Sequence, residues 1–505
     1  MEEFEFSSYP PIEPNTFDLI LIGTGLPQSI IAAAASSAGK TVLHLDPNPY
    51  YGSHFTSLSI SDLTSFLKPQ LSTTTTIDDD DDLNYTVLNL NLNLNLSSLY
   101  SDVEISSFDA ETIAKHSRSF NIDLGGPRVL FCADKAIDLI LKSGVNQYVE
   151  FKSIDSSFVC DDNGKLSCVP DSRAAIFKDK SLSLTEKNQL MRFFKLVQQH
   201  LENSEEESSE SSRISMEDLE SPFMEFRTQY VLLIFDTASF MNASGALIYP
   251  IYGHGELSQA FCRRAAVKGC IHVLRMPVTS LLMDKESGQY KGVRLASGQD
   301  LFSNQLVLDP TFTVPCSPES LRGTLEGLNL RDVKGKVARG ICVTTSSLKA
   351  DVVNFLVMYP PRTLYPEQSM SIRALQIGGN LAVCPSGMFI LYFSALCDDS
   401  KQGKDMLRAA MNALLKIPVS EISEKSSEVQ NQDAEVKPTL LWSAMYIHEL
   451  TTGNFDHISS TPMPDGNLDY NDLLDETVKL FKKMYPSEEF FPEVESSPDN
   501  IDDED

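Results

Sequence analysis

The sequence predicts an α/β protein whose N-terminal part is a Rossmann-type, FAD/NAD(P)-binding-like unit. Three observations predict it. A short apolar strand, Asp18 to Ile22, runs directly into Gly23-Thr24-Gly25. An alanine-rich run, Ile30 to Ala38, follows with the composition of a helix, and Gly39 can end it. A second strand, Thr41 to Leu45, then leads to Asp46. A strand, a glycine turn, a helix and a strand ending in an acid form the opening of a dinucleotide-binding βαβ unit. The usual fingerprint has a third glycine where the backbone approaches the pyrophosphate. Here that position is Gln28, after Leu26 and Pro27. The fold signal is therefore strong and the cofactor signal weak.

The next segment, DPNPYYGS from Asp46 to Ser53, carries two ambiguous features. Asp46 has the position of an acid that accepts from ribose hydroxyls, or it caps the turn that Pro47 begins. Tyr50 and Tyr51 suit a protein contact or half-buried packing. Thr73 to Asp82 and the LNLNLNLNL run from Leu88 are biased in composition and read as a loop or an irregular edge strand. Asp134 can cap a helix bearing Ile137, Ile140 and Leu141, and Gly144 can end it. Strands are expected at Val149 to Phe158 and Lys165 to Val169, and a helix at Leu184 to Leu201 with Phe193, Phe194 and Val197 on its apolar side.

Glu202 to Ser212 and Glu421 to Glu435 read as polar inserts. Further strands are expected at Ile271 to Leu274, Gln289 to Leu295, Gln305 to Leu308, Val337 to Thr345 and Leu381 to Leu391, and the end contains TLLWSAMYI, residues 439 to 447. A last helix, Leu473 to Met484, is stopped by Pro486.

A second dense stretch is IYPIYGHGELSQAFCRRAAVKGC, Ile248 to Cys270. Glu256, Gln259 and Arg263 stand three and four residues apart, so they share one helical face. That face is either a surface ion pair or a polar docking face. No catalytic set emerges: there is no G-x-S-x-G, no P-loop and no H-E-x-x-H. Cys262 lies near His254 in sequence, but a buried thiol is the better reading.

Composition narrows the class. The 505 residues with 42% hydrophobic content suffice for a large core in two to four domains. A net charge of -29 leaves no basic surface for nucleic acid. The nine cysteines are scattered without a C-x-x-C pair, which argues for free thiols and against zinc. No signal peptide, membrane span or prenylation box is evident, so a soluble cytosolic protein is expected.

Three stretches in order, GTGLPQSIIAAAASSAGKTVLHLDPNPYYG, SRSFNIDLGGPRVLFCADKAIDLILKSGVNQYVEFKSI and the Ile248 to Cys270 segment, resemble the Rab escort protein and Rab GDP-dissociation inhibitor superfamily. CDDNGKLSCVP, PTLLWSAMYI and KLFKKMYPSEEFFP lean toward the escort branch. The resemblance implies a GDI fold akin to flavoprotein monooxygenases, with no flavin and no metal. It implies a larger discontinuous domain, 17–124 plus 241–490, with inserts at 70–98 and 421–435, and a smaller helical domain at 125–240. Residues 1–16 and 491–505 are expected to be a flexible N-terminus and an acidic tail.

The implied function is non-catalytic. An escort protein binds GDP-bound Rab GTPases, presents them to the Rab geranylgeranyltransferase α/β heterodimer, and delivers the geranylgeranylated product to membranes. The implied Rab-binding residues are Tyr51, Glu256, Gln259 and Arg263. Gly23, Gly25 and Asp46 remain as a vestigial nucleotide loop. The alternatives are a dissociation inhibitor recycling prenylated Rabs or, less favoured, a flavin-dependent oxidoreductase.

Two departures stand out. The family has Y-Y-G-G where this chain has Tyr50-Tyr51-Gly52-Ser53. Phe223 to Tyr249 is short for a family with several helices there, so the smaller domain is expected to be truncated.

Overall fold

A computed structural model describes residues 9–68, 85–89, 99–192, 247–311, 332–418 and 437–492, apart from 133, 162–163, 171–172, 181, 186, 190, 286, 453 and 456–457. The predicted opening unit forms as β1 (Thr16–Ile22), α1 (Leu26–Ser37) and β2 (Val42–Asp46). The helix starts earlier than composition suggests, because Pro27 sits in its first turn, where its missing N–H costs nothing. Gly39, at φ +77°, follows the helix end.

β1 and β2 run parallel inside a nine-stranded mixed sheet. The Ile271–Leu274 strand lies outside β2, and the Asp300–Leu308 strand lies on the other side of β1, both parallel. The Tyr290–Leu295, Val278–Asp284 and Tyr85–Asn89 strands continue the sheet antiparallel. Tyr85–Asn89 ends the sheet, so the part of the leucine–asparagine run that is described is an edge strand. The chain leaves β1 toward β2 on one side and reaches Asp300–Leu308 on the other. That reversal opens a crevice at the carboxyl ends of the strands, where open α/β sheets bind ligands.

α1 buries its alanines, Ala32 to Ala35, against the Gly255–Val267 and Asn471–Met484 helices. Small side chains let the helices approach closely over one apolar core. A second, eight-stranded sheet has the Asp332–Thr344 strand between Phe389–Cys397 and Leu440–Thr452. The Ser400–Leu414 helix covers one face, capped by Asp399, whose carboxylate accepts from the Lys401 and Gln402 amides.

Local expectations and structure part in particular places. Asp134 and Gly144 cap the Lys135–Ser143 helix as read, and the terminal helix spans Asn471–Met484. Val149 to Phe158 is not one strand. It splits into Phe151–Ser153 in a small sheet and Ser156–Cys160 in the eight-stranded sheet. The break falls where Asp155 accepts from the Val353 and Asn354 amides.

Leu381 to Leu391 is not a strand either. A turn at Pro385 to Met388, with Gly387 at φ +82°, separates a short 3-10 helix from the real strand, Phe389–Cys397. Helical bonding begins at Ser183, whose carbonyl accepts from Lys187, but Phe193, Phe194 and Val197 lie outside the described residues. So do Thr73 to Asp82, Glu202 to Ser212, Phe223 to Gly245 and Glu421 to Glu435.

Candidate functional site

The glycine turn after β1 is closed on itself. A side-chain carbon at Gly23, φ +93°, would stand 2.7 Å from Asp309 Cβ, so only glycine fits. At Gly25 such a carbon would stand 2.5 Å from Gln28 Oε1. Gln28 is buried and reaches back over the start of α1, where its Oε1 has no hydrogen-bond partner. A dinucleotide would place its pyrophosphate against that lone-pair oxygen. Asp46 is also spent: Oδ2 accepts from the Thr24 amide at 2.8 Å and hydroxyl at 2.6 Å. Its Oδ1 accepts from the Asn48 amide and side chain. Burial pushes this carboxyl up to about 6, against those bonds. Asp46 works as the turn cap, and the loop does not fit a dinucleotide cofactor.

The capped turn instead positions the tyrosine loop. Gly52, at φ +107°, donates its amide to the Thr24 hydroxyl and carbonyl. A side-chain carbon there would lie 2.8 Å from Thr56 Cα. Ser53, where the family has glycine, adopts φ +46° and donates its hydroxyl to Asp309. The left-handed backbone is kept at a non-glycine residue, with that buried bond as compensation.

Three distant segments then meet on Asp123. Its Oδ1 accepts from Ser57 Oγ at 2.6 Å and from the His254 amide at 2.9 Å. Its Oδ2 accepts from the Tyr249 hydroxyl, and its own amide donates to Tyr392 Oη. Ser57 Oγ in turn accepts from the Gly255 amide. Gly253, at φ +100°, leaves no room for a side chain: a carbon there would sit 2.6 Å from Ser57 Oγ and 2.8 Å from Asp123 Oδ1. The G-H-G turn is thus pressed against the loop that follows Tyr51. Sequence reasoning did not single out Asp123; the signal was an acid amid apolar residues in NIDLGG.

The junction opens into a cavity of about 300 Å³ lined by Tyr50, Tyr51, Asn121, Tyr252, Glu256 and Gln259 among others. Three of the expected residues, Tyr51, Glu256 and Gln259, therefore share one depression. Gln259 donates to Glu256 Oε1 at 3.1 Å. Burial raises the Glu256 carboxyl, and the Arg263 charge pulls it back. Arg263 is exposed, one turn beyond Gln259, and is not among the cavity residues. Tyr252 was not anticipated. It stands on the rim, 55% exposed, with φ +73°.

Cys262 is buried on Ser29 Oγ at 3.2 Å, and burial raises its thiol to about 12. His254 bonds the Arg128 carbonyl and Tyr470, not Cys262, so the pair is no nucleophile and base.

The family model described as GDP dissociation inhibitor matches residues 13–90, 89–228 and 217–446. The chain belongs to the GDP dissociation inhibitor family, in its Rab escort branch. It is similar to Rab escort protein 1 of Arabidopsis thaliana, 51% identical over 549 aligned positions covering 98% of this chain and 97% of that protein. It is 27% identical to the Rab proteins geranylgeranyltransferase component A of Drosophila melanogaster, covering 95% and 90% of the two chains. Among solved structures, a Rab GDI of Plasmodium falciparum superposes with a TM-score of 0.64 at 17% identity, over 94% and 99% of the chains. An oxidoreductase of Methanosarcina mazei superposes at 0.52 with 11% identity, over 92% and 100%. These structural likenesses show the fold alone. No helix among the described residues is long and apolar enough to cross a membrane.

Proposed function

We propose that this chain is a non-catalytic escort that binds GDP-bound Rab GTPases and presents them to Rab geranylgeranyltransferase, then carries the geranylgeranylated product to membranes. The observation that carries the reading is the convergence of Tyr51, Glu256 and Gln259 on one open cavity, with Arg263 a turn away. An aromatic hydroxyl, a carboxylate–amide pair and an exposed guanidinium make a surface suited to a polar protein partner, with aromatic and arginine anchors. The likeness to the Arabidopsis escort protein supports the escort branch over a dissociation inhibitor that recycles prenylated Rabs.

Alanine substitution at Tyr51, Glu256, Gln259 and Arg263, each in turn, tests the placement by calorimetry with unprenylated, GDP-loaded Rab. Arg263→Ala is expected to cost about 2 kcal/mol or more if the guanidinium becomes buried and paired in the complex. Unchanged affinity in all four variants rejects the surface. Support of prenyl transfer by purified transferase separates the escort from the recycling inhibitor, which binds the lipidated Rab without aiding the reaction.

A further inference from the structure

We infer that His44, Cys270 and His272 form a binding site for a thiophilic divalent cation, Zn²⁺, beneath the tyrosine loop. The inference stands independently of the Rab reading. One ligand atom from each residue lies within 4.8 Å of those of the other two. The sheet brings them together. His272 on the Ile271–Leu274 strand is in register opposite His44 on the parallel neighbour β2. Cys270 precedes His272 by two residues, and strand alternation gives such positions the same face. Their Sγ and Nε2 are 3.9 Å apart, and the two imidazole centroids are 5.1 Å apart.

A second observation points to a ligand. His44 is fully buried, and its Nε2 lies 2.7 Å from the Gly23 carbonyl oxygen. A carbonyl only accepts, so Nε2 carries the proton and Nδ1 keeps its lone pair. That Nδ1 is buried with no hydrogen-bond partner. An imidazole whose second nitrogen donates to a backbone carbonyl is oriented as metal-bound histidines are.

Two imidazole nitrogens and one sulfur match zinc rather than magnesium or calcium, which take oxygen. At bond lengths of about 2.0–2.3 Å, tetrahedral ligands stand roughly 3.3–3.6 Å apart, so modest side-chain rotations close the present spacing. Binding forms a zinc–thiolate bond and releases the Cys270 thiol proton to solvent, one proton per ion. Three protein ligands leave a fourth position for water. The ring of Tyr51 packs edge-on to His272 at 6.4 Å, beside the cluster. The ion would fasten a four-residue strand, paired among the described residues with β2 alone, to β2 and the loop that leaves it.

The test uses the full chain, stripped with a chelator and kept reduced, titrated with Co²⁺ and then Zn²⁺. One Co²⁺ per chain is expected, with a thiolate-to-cobalt charge-transfer band and the intense visible bands of a tetrahedral site, all displaced by one equivalent of Zn²⁺. Cys270→Ser and His272→Gln should each lose the band and bind Zn²⁺ more than about 100-fold more weakly, beyond what loss of an outer partner costs. Replacing the exposed Cys132 and Cys168 by Ser should change nothing. His272 is only partly buried, so its variant serves if Cys270→Ser folds poorly. Absence of the charge-transfer band in the wild-type chain, or its persistence in either ligand variant, overturns the inference.

Discussion

Gly253 concentrates the local demands of the site. Its φ of +100° lies in the left-handed region, and a side-chain carbon would collide with both Ser57 and Asp123. Gly253→Ala must therefore strain the backbone and displace the carboxylate that joins three segments. Such strain costs on the order of 1–3 kcal/mol. Denaturant unfolding should show a lower midpoint by that amount with an unchanged slope. An unaltered midpoint would mean that the turn relaxes freely.

Tyr252, beside it, keeps a positive φ on the exposed rim with its amide bonded to the Leu381 carbonyl. If this aromatic meets the partner, Tyr252→Ala should weaken GDP-Rab binding by about 1–2 kcal/mol, read by calorimetry, and leave the melting midpoint unmoved. Equal affinity would confine Tyr252 to the free chain. Glu256, Gln259 and Arg263 were legible in the sequence because helical spacing alone puts them on one face. Asp123 and Tyr252 were not. Their roles depend on segments more than a hundred residues apart in chain meeting at one point, and nothing local announces that.

Among the elements, the strands around Arg339 enclose a buried polar cluster. Arg339 is fully buried and donates to the carbonyls of Gly125, Gly126, Pro464 and Asp465, with Nε 3.3 Å from His448 Nδ1. Burial lowers its guanidinium to about 10. His448 also stacks on Tyr100 and His54. Burial first, then the Arg339 charge, holds His448 well below 6.5. A base with a depressed folded value binds its proton in the unfolded chain first. Its contribution is thus complete above about pH 6.5 and is lost as pH falls below that. The slope reaches about 1.4 kcal/mol per pH unit for one group. His448→Asn should remove that slope when unfolding free energies are compared from pH 7 to 5. Parallel curves would show that His448 is not kept neutral.

The same scale shows what sequence patterns can carry. β1, α1 and β2 were legible because each is fixed by neighbours in sequence: an apolar run, a glycine turn, an alanine run. Phe355–Tyr359, Ile372–Gly378 and the Ser400–Leu414 helix went unread. The two strands lie between other strands; Phe355–Tyr359 is a continuous apolar run with no period to betray it, and Ile372–Gly378 carries Arg373 and Gln376 without a two-residue alternation. Leu381 to Leu391 was misplaced because its apolar content outweighed the Pro385–Gly387 turn.

At the scale of the whole molecule, the proposed Rab platform and the expected transferase and lipid contacts come from different parts of the chain. The platform is assembled by the β2 loop, Asp123 and the Gly255–Val267 helix, all within the described architecture. The family resemblance assigns the other contacts to helices of the smaller domain, between counterparts of Phe223 and Tyr249. This chain has only 27 residues there, counting both ends. Its alignment with the Arabidopsis relative runs over 549 positions, more than the 505 residues this chain contains. A stretch of that length at 1.5 Å per residue holds one long helix or two short ones, not several. On the expectation that this domain is truncated, the neighbouring amphipathic helices would lose apolar cover, to which such helices owe most of their stability. Binding of unprenylated, GDP-loaded Rab should therefore stay within about tenfold of the longer relative, a difference of about 1.4 kcal/mol. Recovery of transferase with the Rab complex, and the rate of geranylgeranyl transfer, should fall much further. Side-by-side calorimetry, pull-down and prenylation assays with the Arabidopsis protein as reference decide the matter. Prenyl transfer at the reference rate would show that the short segment suffices for presentation, and loss of Rab binding itself would show that the platform depends on the helices expected to be missing.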